Sequence, residues 1–312
     1  IQPVMLPYMN YRMVLSPQTD RHAMMQKLQT LTQEDPTLHI SYMPKTQDIY
    51  IQLMGEIQIE ILQNMIRERF HEDVHFDHGE ILYKETIAKP IEGVGHFEPL
   101  RHYAEVHVLL EPLESGSGLV FESQCSTDTL PLHYQRLIMT HFQEIEHRGV
   151  LTGAPVTDMK ITLLAGKAHQ KHTEGGDFRE ATYRAIRHGL KRGESILLEP
   201  YYDIHIQIPK EALSRVLYDM EKKQTKVPME ENGDRMDLYG QGPVACLQDY
   251  QQEIIALTKG KGRMTCSLKG YFPCHNSTEV IQDKHYDSET DQKYPTGSVF
   301  CQHGAGFYVK WQ

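Results

Sequence analysis

The residues with the clearest chemical potential form one short cationic stretch, Lys167–His172, which holds two lysines, two histidines and no acid. The chain as a whole carries a formal net charge of −10, so it cannot coat nucleic acid generally and any RNA contact must be local. Ammonium and imidazole groups contact phosphates, and imidazole rings stack on unpaired bases. The alternative interpretation of this stretch is a polar loop with incidental charge. The expected RNA-binding tip consists of Lys167, His169, Gln170, Lys171 and His172, with Arg101 and His102.

A second basic segment, Thr258–Arg263, interleaves Lys259, Lys261 and Arg263 with glycine. A glycine-containing loop can approach a phosphate backbone closely, and each cation in it adds salt-dependent affinity. The alternative is a solvated turn. We expect these three residues to be a second RNA contact.

The sequence His71-Glu-Asp-Val-His75 satisfies H-E-x-x-H, which makes a zinc hydrolase only when both histidines share one face of a helix. Here it follows a helical pattern that ends at Phe70, and Val74 and Phe76 continue in strand period. In a strand the two histidines would lie more than about 12 Å apart. A zinc hydrolase is therefore a remote alternative, and we expect no metal at this motif.

The five cysteines are scattered and odd in number, which is typical of reduced thiols in a cytoplasmic protein. Two Cys/His pairs offer an alternative zinc site, although neither has the C-x₂₋₄-C spacing of a zinc ribbon. We expect them instead to be small buried hydrophobic side chains and surface histidines, with no metal bound. The four residues are Cys274, His275, Cys301 and His303.

Nucleotide-binding motifs are missing from the sequence. It contains no G-x-x-x-x-G-K-[ST], and Asp237–Gly240 matches D-x-x-G within a predicted strand with no companion motif. We nominate no catalytic residue and no cofactor for this chain.

Length and periodicity predict several α/β units rather than one small core. A β-α-β-β-α-β pattern over 1–88 ends in a strand at 80–87, and a second such pattern covers 195–277. Between them lies a block, 89–194, with longer strands and helices, and 278–312 is predicted to be an irregular C-terminal extension. No apolar run is long enough for a membrane span, and the start without Met suggests a piece of a longer protein.

The tip is positioned by the two elements that flank it. The run Gly153–Gly166 is predicted to be a covered strand ending at Gly166, with apolar residues along most of its length. Asp177, followed by Glu180, is predicted to cap a helix over 177–192. The loop between them would be held at both ends.

The sequence resembles elongation factor G and the tetracycline-resistance ribosomal protection proteins over roughly residues 8–276. Some motifs resemble the ribosomal protection branch more closely, although those proteins carry a proline near the position of Lys171 and this sequence does not. The general motifs are Glu34–Leu38, Met54–Leu62, Tyr83–Ile87, Pro112–Gly118, Gly153–Gly166, Leu198–Pro200 and Thr258–Arg263. The branch motifs are Gly118–Ser123, Asp177–Arg179, Gln248–Tyr250 and Leu268–Tyr271.

This resemblance implies an α+β fold, with two ferredoxin-like βαββαβ modules flanking a ribosomal-protein S5-like α/β domain. It implies a monomeric cytoplasmic partner of the ribosome that contacts 16S rRNA, 23S rRNA and ribosomal proteins. The tip would enter the decoding centre, and Lys259, Lys261 and Arg263 would face the large subunit. GTP and Mg would belong to another part of the parent protein. Drug release and translocation remain alternative roles.

Overall fold

A computed structural model describes residues 7–44 and 46–311. The chain divides between Leu82 and Tyr83 into two compact units. Each unit is an α/β assembly with its own buried core.

The first unit is an antiparallel sheet with two helices. Its strand order is β2-β3-β1-β4, with a further short strand, β5, on β1. Met24, Leu28 and Leu31 form the buried face of the first helix, and the carboxylate of Asp20 accepts hydrogen bonds from the first turn of that helix. The elements are β1 (Met9–Val14), α1 (Arg21–Glu34), β2 (His39–Met43), β3 (Asp48–Leu53), α2 (Glu56–Phe70), β4 (His75–Phe76) and β5 (Glu80–Ile81).

The strand predicted over 80–87 is divided, which corrects the sequence-based assignment. Its second part, β6 (Lys84–Ile87), belongs to the second unit and pairs with residues 195–198. Glu85 explains this placement, because its buried carboxylate accepts hydrogen bonds from the backbone N–H groups of Leu151, Thr152 and Ala154. A buried carboxylate needs such partners, and they come from the second unit.

The second unit begins with a sheet covered by helices. Its strands run in the order β7-β8-β10-β9, and the β7–β8 and β8–β10 pairs are antiparallel. The helix α4 (Gly175–Arg192) packs so closely on β7 (Ile91–Phe97) that a side chain at Gly95 would collide with the backbone oxygen of Ala181. After β6 the elements are β7 (Ile91–Phe97), β8 (Ala104–Pro112), β9 (Leu119–Ser123), α3 (Leu132–Gln143), β10 (Met159–Ala168) and α4 (Gly175–Arg192).

A second sheet of this unit repeats the topology of the first unit. Its order is β12-β13-β11-β14, the same arrangement as β2-β3-β1-β4, so both modules are ferredoxin-like. The segment 244–257 forms two helices, which are separated by Gln248 and Asp249. The elements are β11 (Ser195–Pro209), a 3₁₀ turn (Lys210–Ala212), α5 (Leu213–Lys222), β12 (Met229–Asn232), β13 (Arg235–Pro243), α6 (Val244–Leu247), α7 (Tyr250–Leu257) and β14 (Arg263–Pro273).

The C-terminal segment is ordered, contrary to the prediction of an irregular extension. It forms α8 (Ser277–Lys284) and a hairpin of β15 (Ser298–Gln302) and β16 (Ala305–Val309). The hairpin joins the middle sheet where Val299 lies beside Phe97. Two arginines of α4 fix it, because Arg184 donates to the Gly297 carbonyl and Arg187 to the Tyr294 carbonyl.

Candidate functional site

The strand β10 projects the cationic stretch. Its residues Met159, Ile161 and Leu163 are fully buried, as the sequence predicts. The strand continues to Ala168 instead of ending at Gly166, because Lys167 pairs with Glu105 on β8. Lys167 therefore extends as an exposed side chain from a strand, and the turn begins at His169.

The turn 169–172 is closed by hydrogen bonds to its own backbone. The N–H groups of His172 and Thr173 both donate to the carbonyl of His169, at 3.2 and 3.1 Å. The hydroxyl of Thr173 accepts from the His169 N–H at 2.7 Å and donates to the Tyr103 carbonyl at 2.6 Å. The rings of His169 and His172 stack with centroids 4.5 Å apart. The turn is thus a fixed platform with exposed side chains.

The helix after the turn starts earlier than predicted, and its cap is a different residue. Glu174 is the N-cap of α4, and Asp177 occupies the third helical position of a capping box. The buried carboxylate of Asp177 accepts from the Glu174 N–H at 2.8 Å and contacts Nδ1 of His102 at 2.8 Å. The first two helical positions are Gly175 and Gly176, and the N-cap is a glutamate. Because these residue types are not typical of a helix start, the sequence did not indicate that the helix begins there.

The turn that carries Arg101 and His102 lies beside the tip. Tyr103 links the two, because its N–H donates to the His172 carbonyl at 3.1 Å and its ring lies 6.4 Å from that of His169. Arg101 is exposed and has a left-handed backbone with φ of 63°. The structure therefore brings the predicted tip residues together, although the Nδ1 atom of His102 is engaged with Asp177.

The exposed lysines and arginine of the tip form no ion pair within the described part of the chain. Among residues 7–44 and 46–311, no carboxylate forms an ion pair with Arg101, Lys167 or Lys171. Glu105, which pairs with Lys167 from the neighbouring strand β8, is held by other groups: burial opposes its charge, but hydrogen bonds from His107 and Tyr103 lower its pKa. Burial and the Glu105 carboxylate raise the pKa of Tyr103 to about 12, so it stays a neutral donor. The positive charge of the tip is therefore free to meet an anion.

A row of aromatic rings connects the C-terminal hairpin with the tip. Phe300 of β15 stacks on His96, with centroids 4.2 Å apart. His96 meets the edge of Tyr103 at 5.2 Å, and Tyr103 reaches His169. Sequence reasoning missed Tyr103, His96 and Phe300, because nothing in the local pattern pairs residue 300 with residue 96.

The second basic loop joins α7 to β14. Thr258 stabilises it, because its hydroxyl donates to the Ile254 carbonyl and accepts from the Gly262 N–H, both at 2.6 Å. The side chains of Lys259, Lys261 and Arg263 are exposed. No ion pair within the described part of the chain involves them. The loop is a compact cationic turn, as the sequence predicts.

The H-E-x-x-H segment lies outside a helix. The helix α2 ends at Phe70, and His71 follows it in a left-handed conformation with φ of 56°. The two histidines therefore do not share the helical face that a zinc hydrolase requires. Where the chain is described, no group of three metal-binding side chains includes either of them.

The two Cys/His pairs lie in different elements. Cys301 lies in the C-terminal hairpin opposite Gly306, and His303 lies in its turn. Cys274 and His275 follow β14 and lie close to Glu199. The four residues do not form one cluster among the residues that the structure describes.

Comparisons with known families follow the domain order of the chain. The family model for elongation factor G domain III matches residues 6–78, domain IV matches 79–194, and the elongation factor G C-terminus matches 196–281. The chain belongs to the elongation factor G family. The recognised resemblance and fold class are thus confirmed, and the tip lies in domain IV. The hairpin of β15 and β16 lies beyond the three matched segments.

Two curated relatives carry different names. The chain is 31% identical over 250 residues to the tetracycline resistance protein TetP of Clostridium perfringens, and 27% identical over 257 residues to elongation factor G 2 of Syntrophus aciditrophicus (strain SB). These alignments cover 78% and 81% of the chain but only 38% of each relative.

A crystal structure of a protein from Thermus thermophilus has the same fold. It superimposes with a TM-score of 0.68 at 24% identity, over 91% of this chain and 44% of that protein.

No helix in the described residues has the length and apolar character needed to cross a membrane.

Proposed function

We propose that this chain is the ribosome-binding C-terminal region of a translational GTPase of the elongation factor G type. Its domain IV tip contacts 16S rRNA at the decoding centre. One observation carries the proposal: a cationic turn on an acidic chain, fixed by hydrogen bonds, whose charges no described carboxylate neutralises. An RNA loop with phosphates and unpaired bases is the partner that such a surface fits.

The fixed backbone of the turn favours binding. A loop that is ordered before contact loses less conformational entropy than a free one, so more of the interaction energy appears as affinity. The stacked pair of His169 and His172 offers a flat ring surface, while Lys167 before it and Lys171 between the two histidines supply charge. The tip therefore combines stacking with phosphate contact.

The second basic loop supplies a separate contact, which we propose lies on 23S rRNA of the large subunit. Lys259, Lys261 and Arg263 are exposed on one compact turn. Such contacts are independent of sequence and weaken with salt. The loop would fix orientation, whereas the tip would probe the decoding region.

GTP and Mg would bind the part of the parent that this chain does not contain. The parent would be a cytoplasmic GTPase, and its role would be either release of tetracycline or translocation, the two activities that the resemblance offers. The step common to both is ribosome engagement, and that step is what we propose for this chain.

Equilibrium binding to ribosomes over a range of salt concentrations tests the proposal. Three variants are compared with the parent: the tip variant is His169→Ala/Lys171→Ala/His172→Ala, the loop variant is Lys259→Ala/Lys261→Ala/Arg263→Ala, and the control is Lys89→Ala/Arg215→Ala. Each phosphate contact contributes about 0.7 to 0.9 to the slope of log K against log salt. Removing three loop cations should therefore flatten the slope by about two to three. The tip variant should bind more weakly, and the control, whose cations already face Glu194 and Asp219, should match the parent. Unchanged binding of both the tip and loop variants would refute the proposal.

A further inference from the structure

A cluster of metal-binding side chains lies in the C-terminal module, where three elements converge. Glu199 comes from β11, Cys274 and His275 follow β14, and Cys246 lies in α6. One donor atom each from Glu199, Cys274 and His275 lies within 4.8 Å of the other two. The rRNA-binding role proposed above makes no use of these residues.

The carboxylate of Glu199 lacks a full set of partners. Its side chain is fully buried, and Oε1 accepts from the His275 backbone N–H at 2.8 Å and lies 2.7 Å from His275 Nδ1. Its second oxygen, Oε2, is buried without any hydrogen-bond partner among the described residues. No described lysine or arginine pairs with Glu199. Burying a carboxylate in this way is costly unless a cation compensates for it.

We infer that Glu199, Cys274 and His275 bind a thiophilic divalent cation of the zinc class. Mixed oxygen, sulfur and imidazole donors suit zinc. Two donors on a tetrahedral zinc lie about 3.3 to 3.7 Å apart, from the usual zinc–ligand distances. The three donor atoms are already within 4.8 Å, so small side-chain rotations would close the site around an ion.

Cys246 completes the arrangement from the other side of the imidazole ring. Its Sγ lies 3.6 Å from Nε2 of His275. A histidine that binds metal through one nitrogen usually donates its other N–H to a nearby acceptor, which fixes the tautomer and the ring orientation. With Nδ1 on the metal, Nε2–H would donate to Cys246. Cys246 is therefore a positioning residue and not a ligand.

The backbone holds these side chains in place before any metal arrives. The N–H of Cys274 donates to the Leu197 carbonyl at 2.8 Å, which extends the pairing of β14 with β11. The His275 N–H is fixed on Glu199. Because the backbone N–H groups of Cys274 and His275 both donate to residues of β11, the position of the donor atoms does not depend on a flexible loop.

Titration of the reduced chain with Zn²⁺ against a chromophoric chelator tests the site, and the Co²⁺ spectrum reports thiolate ligation. We expect one ion per chain and a cobalt–thiolate absorption band. Cys274→Ser and His275→Gln should each weaken binding by more than about 100-fold, and Cys246→Ser by about 10-fold, the lower range for residues that support a ligand. The control Cys301→Ser/His303→Ala should bind like the parent.

Three results would overturn the inference. They are the absence of stoichiometric Zn²⁺ binding, retention of parent affinity in Cys274→Ser and His275→Gln, or a Cys246–Cys274 disulfide in place of a metal-binding thiolate. Circular dichroism establishes folding of each variant. His275→Gln is the safest, since the His275 side chain is 22% exposed. If Cys274→Ser fails to fold, His275→Gln alone decides.

Discussion

The hydroxyl of Thr173 should determine the order of the tip. It makes two hydrogen bonds, one from the His169 N–H at 2.7 Å and one to the Tyr103 carbonyl at 2.6 Å, and so ties the turn to the segment just before β8. Thr173→Val keeps the shape of the side chain and removes both bonds. At about 0.5 to 1.5 kcal/mol for each bond, the turn should lose about 1 to 3 kcal/mol of stability.

Hydrogen exchange of the His169 amide measures this loss most directly. Because 1.4 kcal/mol corresponds to about a tenfold change in an equilibrium constant, protection should fall by roughly five- to 150-fold in Thr173→Val. Thr173→Ser retains the hydroxyl and should keep most of the protection. Ribosome affinity should fall in Thr173→Val as well, since the turn must then be ordered on binding. Unchanged protection of His169 in Thr173→Val would show that the hydroxyl does not brace the turn.

Two further predictions concern the scaffold behind the tip. Gly95→Ala should destabilise the second unit by about 3 kcal/mol, because the new methyl group meets the backbone of α4. The control Gly176→Ala places its methyl group in open space and should change thermal stability by less than about 1 kcal/mol. Equal melting temperatures of the two variants would contradict this prediction. Burial opposes the charge of Glu144, but hydrogen bonds from Tyr183, Arg179 and His141 lower its pKa from 4.5 to about 2. A lowered folded-state pKa adds stability above pH 4.5 that is lost as the pH falls towards 2, so the stability difference between the parent and Glu144→Gln should shrink over that range in acid titrations. A difference independent of pH would refute the assignment.

Local periodicity predicted the elements that bury one face against a nearby sheet. The pattern predicted over 1–88 rests on such faces: α1 buries one stripe and β3 buries Ile49, Ile51 and Leu53, since helix and strand periods depend only on neighbouring residues. Periodicity predicted the β-α-β-β-α-β order of these elements, and the resemblance to elongation factor G implied the ferredoxin-like topology that the sheets show. The cationic tip was predicted from its composition, and its exposure follows from the strand that carries it.

The features that sequence reasoning missed depend on partners far along the chain. The residues of β6 were assigned to the first module, but Glu85 finds its hydrogen-bond donors more than sixty residues later. The C-terminal segment has little periodicity, yet Arg184 and Arg187 hold it through carbonyl groups about 110 residues away. The Cys/His pairs were judged by their spacing, whereas the close partner of Cys274 and His275 is the buried Glu199. Spacing in sequence carries no information about such pairings.

Photo-crosslinking from the apex of the tip tests the central claim most directly. Gln170 is exposed in the turn, so p-benzoylphenylalanine at this position leaves the bracing hydrogen bonds intact. We expect crosslinks from position 170 to 16S rRNA in ribosome complexes of the full-length parent. The same group at Lys222, an exposed position at the end of α5, should give none at the same nucleotides. Ribosome complexes that form normally but give no crosslink from position 170 to rRNA would show that the tip does not contact rRNA.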